Sequence, residues 1–318
     1  MIVISCQHES SVRCGKDRKG NQRMLCNGCG KYFLASSDKP LGDMRISMKD
    51  AAIAIGLLVE GMSIRSVERV TGLHRDTIDD LILTVGANCQ RLLDTKIKGV
   101  EVKDVEADEV WSFVGLKEKN RIAKMRSPEL GDSWTWIAIE RETKLILAHH
   151  IGMRDHESCW AFLLKLKSAI GKGHFQMTTD GLRSYTLNVP YVFGLQVSFA
   201  QLIKNYSSSQ ETTRYSPATI DSIEKLPIFG EPEEDRISTS YIERFNLTLR
   251  MSNRRHTRLT NAHSKSLKHH VAMQAIFVAF YNFCRKHETL RGKTPATASG
   301  LTNVPWTVSE LLVNAASA

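Results

Sequence analysis

Between Val102 and Val114 the residues VKDVEADEVWSFV alternate with the two-residue period of a strand, and that run fixes the frame for the rest of the chain. The face carrying Glu106, Asp108 and Val110 places two carboxylates in a segment otherwise suited to burial. Next come SWTWIAIE and KLILAHHIG, two strand-like runs joined by Arg141, Glu142 and Thr143, which predicts an antiparallel hairpin. DHESCWAFLLKLKSAIG reads as an amphipathic helix, with Asp155 as N-cap and Trp160, Leu163, Leu164 and residues 166–170 on the core side. FQMTTDGLRSY gives a short strand ending at Asp180, directly before a glycine. VSFAQLIK gives another strand. The polar run 205–236, with three of the chain's eight prolines, reads as a long loop or flap, or as a disordered insertion.

A helix-like segment, STSYIERFNLTLRMSNRRHTRLTN, follows over 238–261. Ile242, Phe245 and Leu249, with Leu247, recur at spacings of three and four, so one face packs while Glu243, Asn246 and Arg250 share another. Glu243 is a lone acid among Arg244, Arg250, Arg254, Arg255 and Arg258. It is either an ion-pair partner on a solvated face or a ligand for a divalent cation beside a nucleic-acid backbone that the arginines grip. A long helix from about Lys265 to Lys286 comes after it. Its stripe Val271, Ala275, Val278, Phe280 and Phe283 reads as core, and His269 and His270 read as surface residues.

Strand with Asp, hairpin, helix, strand ending at Asp, helix with Glu: this order can assemble three carboxylates on a mixed sheet flanked by helices. Their oxygens are hard ligands, suited to Mg2+ or Mn2+ and not to zinc. Two such ions about 3.5–4 Å apart can activate an attacking hydroxyl and stabilise the leaving oxygen of a phosphoryl displacement. Asp104, Glu106 and Glu109 lie so near Asp108 that the sequence does not choose among them.

The charge distribution points to an anionic partner. The 318 residues carry 43 Lys and Arg against 34 Asp and Glu, a net +9, with a pI near 9.2. Twelve basic and two acidic residues fall between Arg236 and Lys293, so that stretch alone accounts for the excess. The length predicts two or three structural units. No apolar run approaches the roughly 20 residues that span a bilayer, and the N-terminus lacks the regions of a signal peptide, so a cytoplasmic protein without a membrane partner is expected.

Seven cysteines fit a reducing compartment. Cys89, Cys159 and Cys284 stand singly on apolar stretches and read as buried small residues. Cys6, Cys14, Cys26 and Cys29 crowd the first thirty residues, where Cys26-Asn27-Gly28-Cys29 forms one good zinc knuckle. Cys6 and Cys14, with His8 as an alternative ligand, are candidates for the rest of a structural Zn2+ site. Two readings stand: a zinc ribbon that turns Lys16, Arg18, Lys19 and Arg23 toward DNA, or a degenerate ribbon without metal. From Met48 to about Leu93 the pattern is helical. A helix capped by Ser63 and closed by Gly72 precedes another that starts near Arg75, the layout of a helix-turn-helix with His74, Arg75 and Thr77 as candidate DNA contacts. A plain three-helix bundle, with Asp79 and Asp80 discouraging phosphate, is the alternative.

Several of these segments together resemble the DDE-class transposases of bacterial insertion sequences, in particular the insertion sequence 1 family. They are GKDRKGNQRMLCNGCGKYF, SIRSVERVTGLHRDTI, ADEVWSFVG, MTTDG, TSYIERFNLTLR with RRHTRLTN, and YNFCRKHETLRGKTPATASGLT, in that order over nearly the whole chain. The resemblance implies an α/β protein with a ribonuclease H-like mixed-sheet catalytic core, preceded by a zinc-ribbon and a helix-turn-helix domain. Its units would be residues 1–40, 45–95, 100–292 with an insertion at 205–236, and a C-terminal tail at 293–318. It further implies Asp108, Asp180 and Glu243 as a catalytic triad holding two Mg2+ or Mn2+ ions. Double-stranded DNA would be the partner, and the chain would act as a homo-oligomer, at least a dimer, because two transposon ends are processed at once. One departure is plain: the family carries two complete Cys-x-x-Cys knuckles, and Cys6 has no cysteine at Val3 or Glu9. Two other functions use the same features, a DNA-binding repressor without catalysis and a metal-dependent nuclease that cuts without joining.

Overall fold

The computed structural model describes residues 10–18, 22–34, 40–206, 220–258 and 260–318. Ser11–Lys16 (β1), Gln22–Cys26 (β2) and Tyr32–Leu34 (β3) form a small antiparallel sheet. The predicted knuckle is its β2–β3 turn. Gly30 takes the left-handed φ of 67° and donates its N–H to the Cys26 carbonyl.

Three helices follow, Met48–Val59 (α1), Ile64–Thr71 (α2) and Arg75–Lys96 (α3). Ser63 accepts the Ser66 N–H at the start of α2, and Gly72, at φ 73°, closes it. His74 then caps α3 by accepting the Asp76 N–H, and Glu68 of α2 accepts the Arg75 N–H at 3.1 Å, so an acid of one helix ties down the start of the next. The 22 residues of α3 continue well beyond a recognition helix's needs and bury Ile82, Val85, Cys89 and Leu92.

The main sheet has six strands in the order β6-β5-β4-β7-β8-β9. Asp104–Val114 (β4), Gly131–Glu140 (β5) and Ile146–Gly152 (β6) make an antiparallel meander whose β5–β6 half is the predicted hairpin, with a short helix, Glu118–Ala123 (α4), between β4 and β5. Phe175–Thr179 (β7) and Val197–Tyr206 (β8) add in parallel on the other side of β4. Helices His156–Ala169 (α5) and Arg183–Phe193 (α6) supply the crossovers. Asp155 caps α5 as its sequence predicts, by accepting the Ser158 N–H. On α5, however, Leu164 is exposed, because the buried stripe runs through Cys159, Phe162, Leu163 and Leu166.

The run 205–236 is not a loop throughout. Ile220–Phe229 (β9) pairs antiparallel with β8, with Ile203 opposite Glu224, and residues 207–219 lie outside those described. Its polar composition hid a strand because β9 is an edge strand with most side chains exposed.

Ser240–Ser252 (α7) and Leu267–Phe283 (α8) cover the opposite face of the sheet. Ile242, Phe245 and Leu249 of α7 are buried, and Phe245 packs edge-on against Tyr281 of α8. Leu247 is exposed, so the apolar face of α7 is narrower than its spacing implied. On α8 the expected stripe needs two corrections, since Val271 is exposed and Phe280 half-buried. His270 is buried, contrary to its expected surface position, and bonds Ser264 at 2.7 Å and Ser112 at 3.3 Å. His256 is buried beside it and bonds Gln274. Burial holds both imidazoles below their ordinary pKa, His256 at about 4, so the two rings are neutral and clamp the basic loop 253–266 onto α8.

The last 26 residues carry Pro295–Ala298 (α9) and Val308–Ala316 (α10). Thr307 and Glu310 form a capping box at α10, whose Leu311, Leu312 and Ala315 are buried against α1, α3 and α8. One hydrophobic cluster runs from α1 through the main sheet to α10. Where α3 meets α8 the contact is so close that a Cβ on Gly86 would fall 2.6 Å from the Cα of Ala272. No helix among the described residues is long and apolar enough to cross a membrane.

Candidate metal centre

The pleat of β4 sorts its acids. Asp104, Glu106 and Asp108 alternate onto the face under α7, and Glu109 turns to the α5–α6 side. Asp104 is taken by Arg236, whose Nε donates at 2.8 Å. Glu106 accepts the backbone N–H groups of Tyr241 at 2.8 Å and Ile242 at 2.9 Å, in the first turn of α7, where Thr239 offers no side-chain cap. An acid of the central strand therefore caps the helix that carries Glu243. Burial lifts Glu106 to about 7 against those two hydrogen bonds.

Asp108 and Asp180 remain for chemistry. Asp108 sits midway along β4, and Asp180 lies immediately past the end of the parallel neighbour β7. With Glu243 they line one cavity of about 350 Å³, whose other walls include Lys204 and Thr239. Oxygens of Asp108, Glu109 and Asp180 all lie within 4.8 Å of one another, the one group of three metal-ligating side chains among the described residues. Glu109 is the member that the strand alternation places on the face opposite Asp108. It joins because Asp180 stands at the strand end, where both faces of β4 can be reached.

Each acid is held. Asp108 accepts from Asn246 of α7 at 2.7 Å and from the Glu109 N–H at 2.8 Å. Asp180 accepts the Leu182 N–H at 3.0 Å, and Gln201 of β8 donates to the carbonyls of Asp180 and Leu182. Glu243 accepts from Thr239 at 2.7 Å and pairs with Lys204. Arg154, stacked over Trp134, reaches Glu109 and Asp180 at 3.2 Å each. Two cations do not neutralise four acids. Burial, then the Asp180 charge, pushes Asp108 up to about 6 and Glu109 up to about 8, the latter against the Tyr185 hydroxyl and the Arg154 charge. A crowded set of hard oxygens in this condition fits a divalent cation of the Mg2+ or Mn2+ kind.

The candidate DNA contacts spread over three regions. Lys16, Arg18 and Arg23 are exposed on the small sheet, Arg23 lying over the Tyr32 ring, whereas Lys19 is outside the described residues. His74 and Arg75 are exposed at the start of α3, each within 3.6 Å of Asp76, and Thr77 is half-buried. Arg244, Arg254 and Arg258 are exposed. Arg250 and Arg255 are half-buried, and burial lowers both guanidinium groups from their ordinary range. For Arg250 the Arg258 charge adds to the effect, and its buried Nε has no partner. Of the zinc candidates, Cys6 and His8 fall outside the described residues. Cys14, half-buried on β1, Cys26, buried, and Cys29, exposed, do not form a three-ligand group.

Fold and site define a mixed α/β protein whose six-stranded sheet, compatible with a ribonuclease H-like core, presents an oxygen-lined acidic centre. No family model and no curated protein matches the chain. Among solved structures one similar arrangement is a piggyBac transposase synaptic complex with hairpin DNA, at 11% identity and a TM-score of 0.35. The alignment spans 86% of this chain and 72% of that one.

Proposed function

We propose that the protein is a DNA transposase of the bacterial insertion-sequence type, with Asp108, Asp180 and Glu243 as its catalytic carboxylates and Glu109 beside them. One observation carries the reading: acids from β4, the end of β7 and α7, as far apart in sequence as 108 and 243, line a single cavity. When bound there, Mg2+ or Mn2+ supplies Lewis acidity toward a phosphodiester and lowers the pKa of an attacking hydroxyl. The protein's own residues orient that chemistry. Asn246 and the Glu109 N–H fix the two oxygens of Asp108, Gln201 fixes the loop after β7, and Glu106 sets the start of α7. Lys204 and Arg154, paired with Glu243 and Asp180, offset part of the charge in the resting site and offer donors to phosphate oxygens when a substrate enters. Arg250, Arg254 and Arg258 would position the DNA backbone, and the small sheet and α2–α3 would bind terminal repeats as a ribbon and a helix-turn-helix. Water would cleave each 3′ end, and the freed hydroxyl would attack target DNA, within an oligomer that brings two ends together.

The test is strand cleavage and joining on oligonucleotides bearing the element's ends, with Mg2+ or Mn2+. Wild type should cut and join, and Asp108→Asn, Asp180→Asn and Glu243→Gln should each lose at least 100-fold, on the order of the loss when a group that stabilises the transition state is removed, while still binding DNA. Binding without chemistry in the wild type would instead indicate a repressor, and cutting without joining a nuclease.

A further inference from the structure

On the flank of α7 turned away from the acids lies a second, strongly basic cavity of about 700 Å³. Lys144 enters it from the β5–β6 turn, Arg244 from α7, and Arg285 and Lys286 from just beyond α8. Glu288 is the one acid in its wall. Among the described residues, ion pairs form at other places and include none of these four cations. Lys144 has a φ of 61°, a left-handed conformation that costs a non-glycine residue energy, and its Nζ lies 4.8 Å from the centre of the Tyr241 ring. Arg285 is steadied by a 3.3 Å hydrogen bond to Ser252. His287 reports the local field: burial, then the Arg285 and Lys144 charges, lowers it to about 4, and its buried Nε2 has no partner.

Glu243 and Arg244 are consecutive on one helix and so point about 100° apart, which leaves the acid and basic cavities separated by α7 itself. We propose that the basic cavity is a second DNA-backbone site, in which Lys144, Arg244, Arg285 and Lys286 receive phosphodiester oxygens and the Ser240 hydroxyl acts as a neutral donor. It holds a different stretch of duplex from the one at the acids. The choice of DNA as the polyanion rests on the transposase reading. The positive excess is spread along residues 236–293 instead of gathered at one point, which suits a chain of regularly spaced phosphates.

The experiment measures binding of a fluorescent mixed-sequence duplex by the full chain across a salt series. The variants are Arg285→Gln with Lys286→Gln, and Lys286→Glu alone. Mn2+ affinity, thermal midpoint and metal-dependent cleavage are recorded for each. Loss of two phosphate contacts should lower the log–log salt slope by about 1.8, at about 0.9 per contact, with Mn2+ affinity unchanged. Lys286 is exposed, so its charge reversal should weaken binding without unfolding, and it decides the matter if the double variant fails to fold. Unaltered slope and affinity would overturn the site and leave the transposase reading intact. Displacement of the duplex by polyglutamate at equal charge concentration would overturn DNA as the occupant in favour of an acidic protein. A reduced slope in a wild-type background that never cleaves would uphold the site and overturn the catalytic reading.

Discussion

Asp108 and Glu109 are neighbours on opposite faces of one strand, and both have carboxyls lifted above their ordinary range, to about 6 and about 8. A protonated carboxyl is a poor cation ligand, so metal and protons compete for the same oxygens. Mn2+ affinity should therefore rise between pH 6 and pH 8 in the wild type and rise less in Asp108→Asn, as read by titration calorimetry. Equal affinity at the two pH values would remove these acids from the metal site. The linkage has a definite sign in the metal-free protein. A carboxyl whose pKa is higher folded than unfolded contributes most to stability below its unfolded value, here about 4, and that contribution is lost as pH rises toward 8. Asp104 and Glu106, equally plausible in the sequence, have other partners, and only those contacts separate them from Asp108.

At the scale of elements, the orientation of α7 depends on a residue outside it. Both N–H groups capped by Glu106 point to a single carboxylate oxygen, so a glutamine amide oxygen in its place can still accept them. Glu106→Gln should retain most stability and cleavage. Glu106→Ala leaves two buried donors unpaired and should cost roughly 1–3 kcal/mol, together with activity, because Glu243 loses its fixed approach to Asp108. Urea unfolding of both variants checks this, and an alanine variant as stable as wild type would contradict it. The elements themselves were largely legible. The alternation of β4, the hairpin of β5 and β6, the Asp155 cap of α5 and the Ser63 and Gly72 boundaries of α2 are local signals that tertiary context did not override. β9 was missed because an exposed edge strand has no apolar alternation to read.

Across the whole molecule, α10 reaches back to α1, α3 and α8, so the end of the chain closes the core that its first helices open. Deleting residues 307–318 should expose apolar side chains of α1, α3 and α8, lower the thermal midpoint and increase binding of a hydrophobic dye, although no proposed catalytic residue is touched. An unchanged midpoint would show that α10 only rests on the surface. The same long-range packing buried His270, which its polar neighbours in sequence presented as a surface residue, with His256 beside it. The sequence alone determined that β4 to β8, α5, α7 and α8 are strands and helices, where several of them begin and end, and that Asp108, Asp180 and Glu243 lie on or directly beside three of them, because periodicity and capping are short-range properties. Only the tertiary structure decided that β4 and β7 lie side by side with α7 across them, because adjacency of elements is set by long-range packing. That adjacency gathers the acids round one cavity, draws in Glu109 and assigns Glu106 to holding a helix.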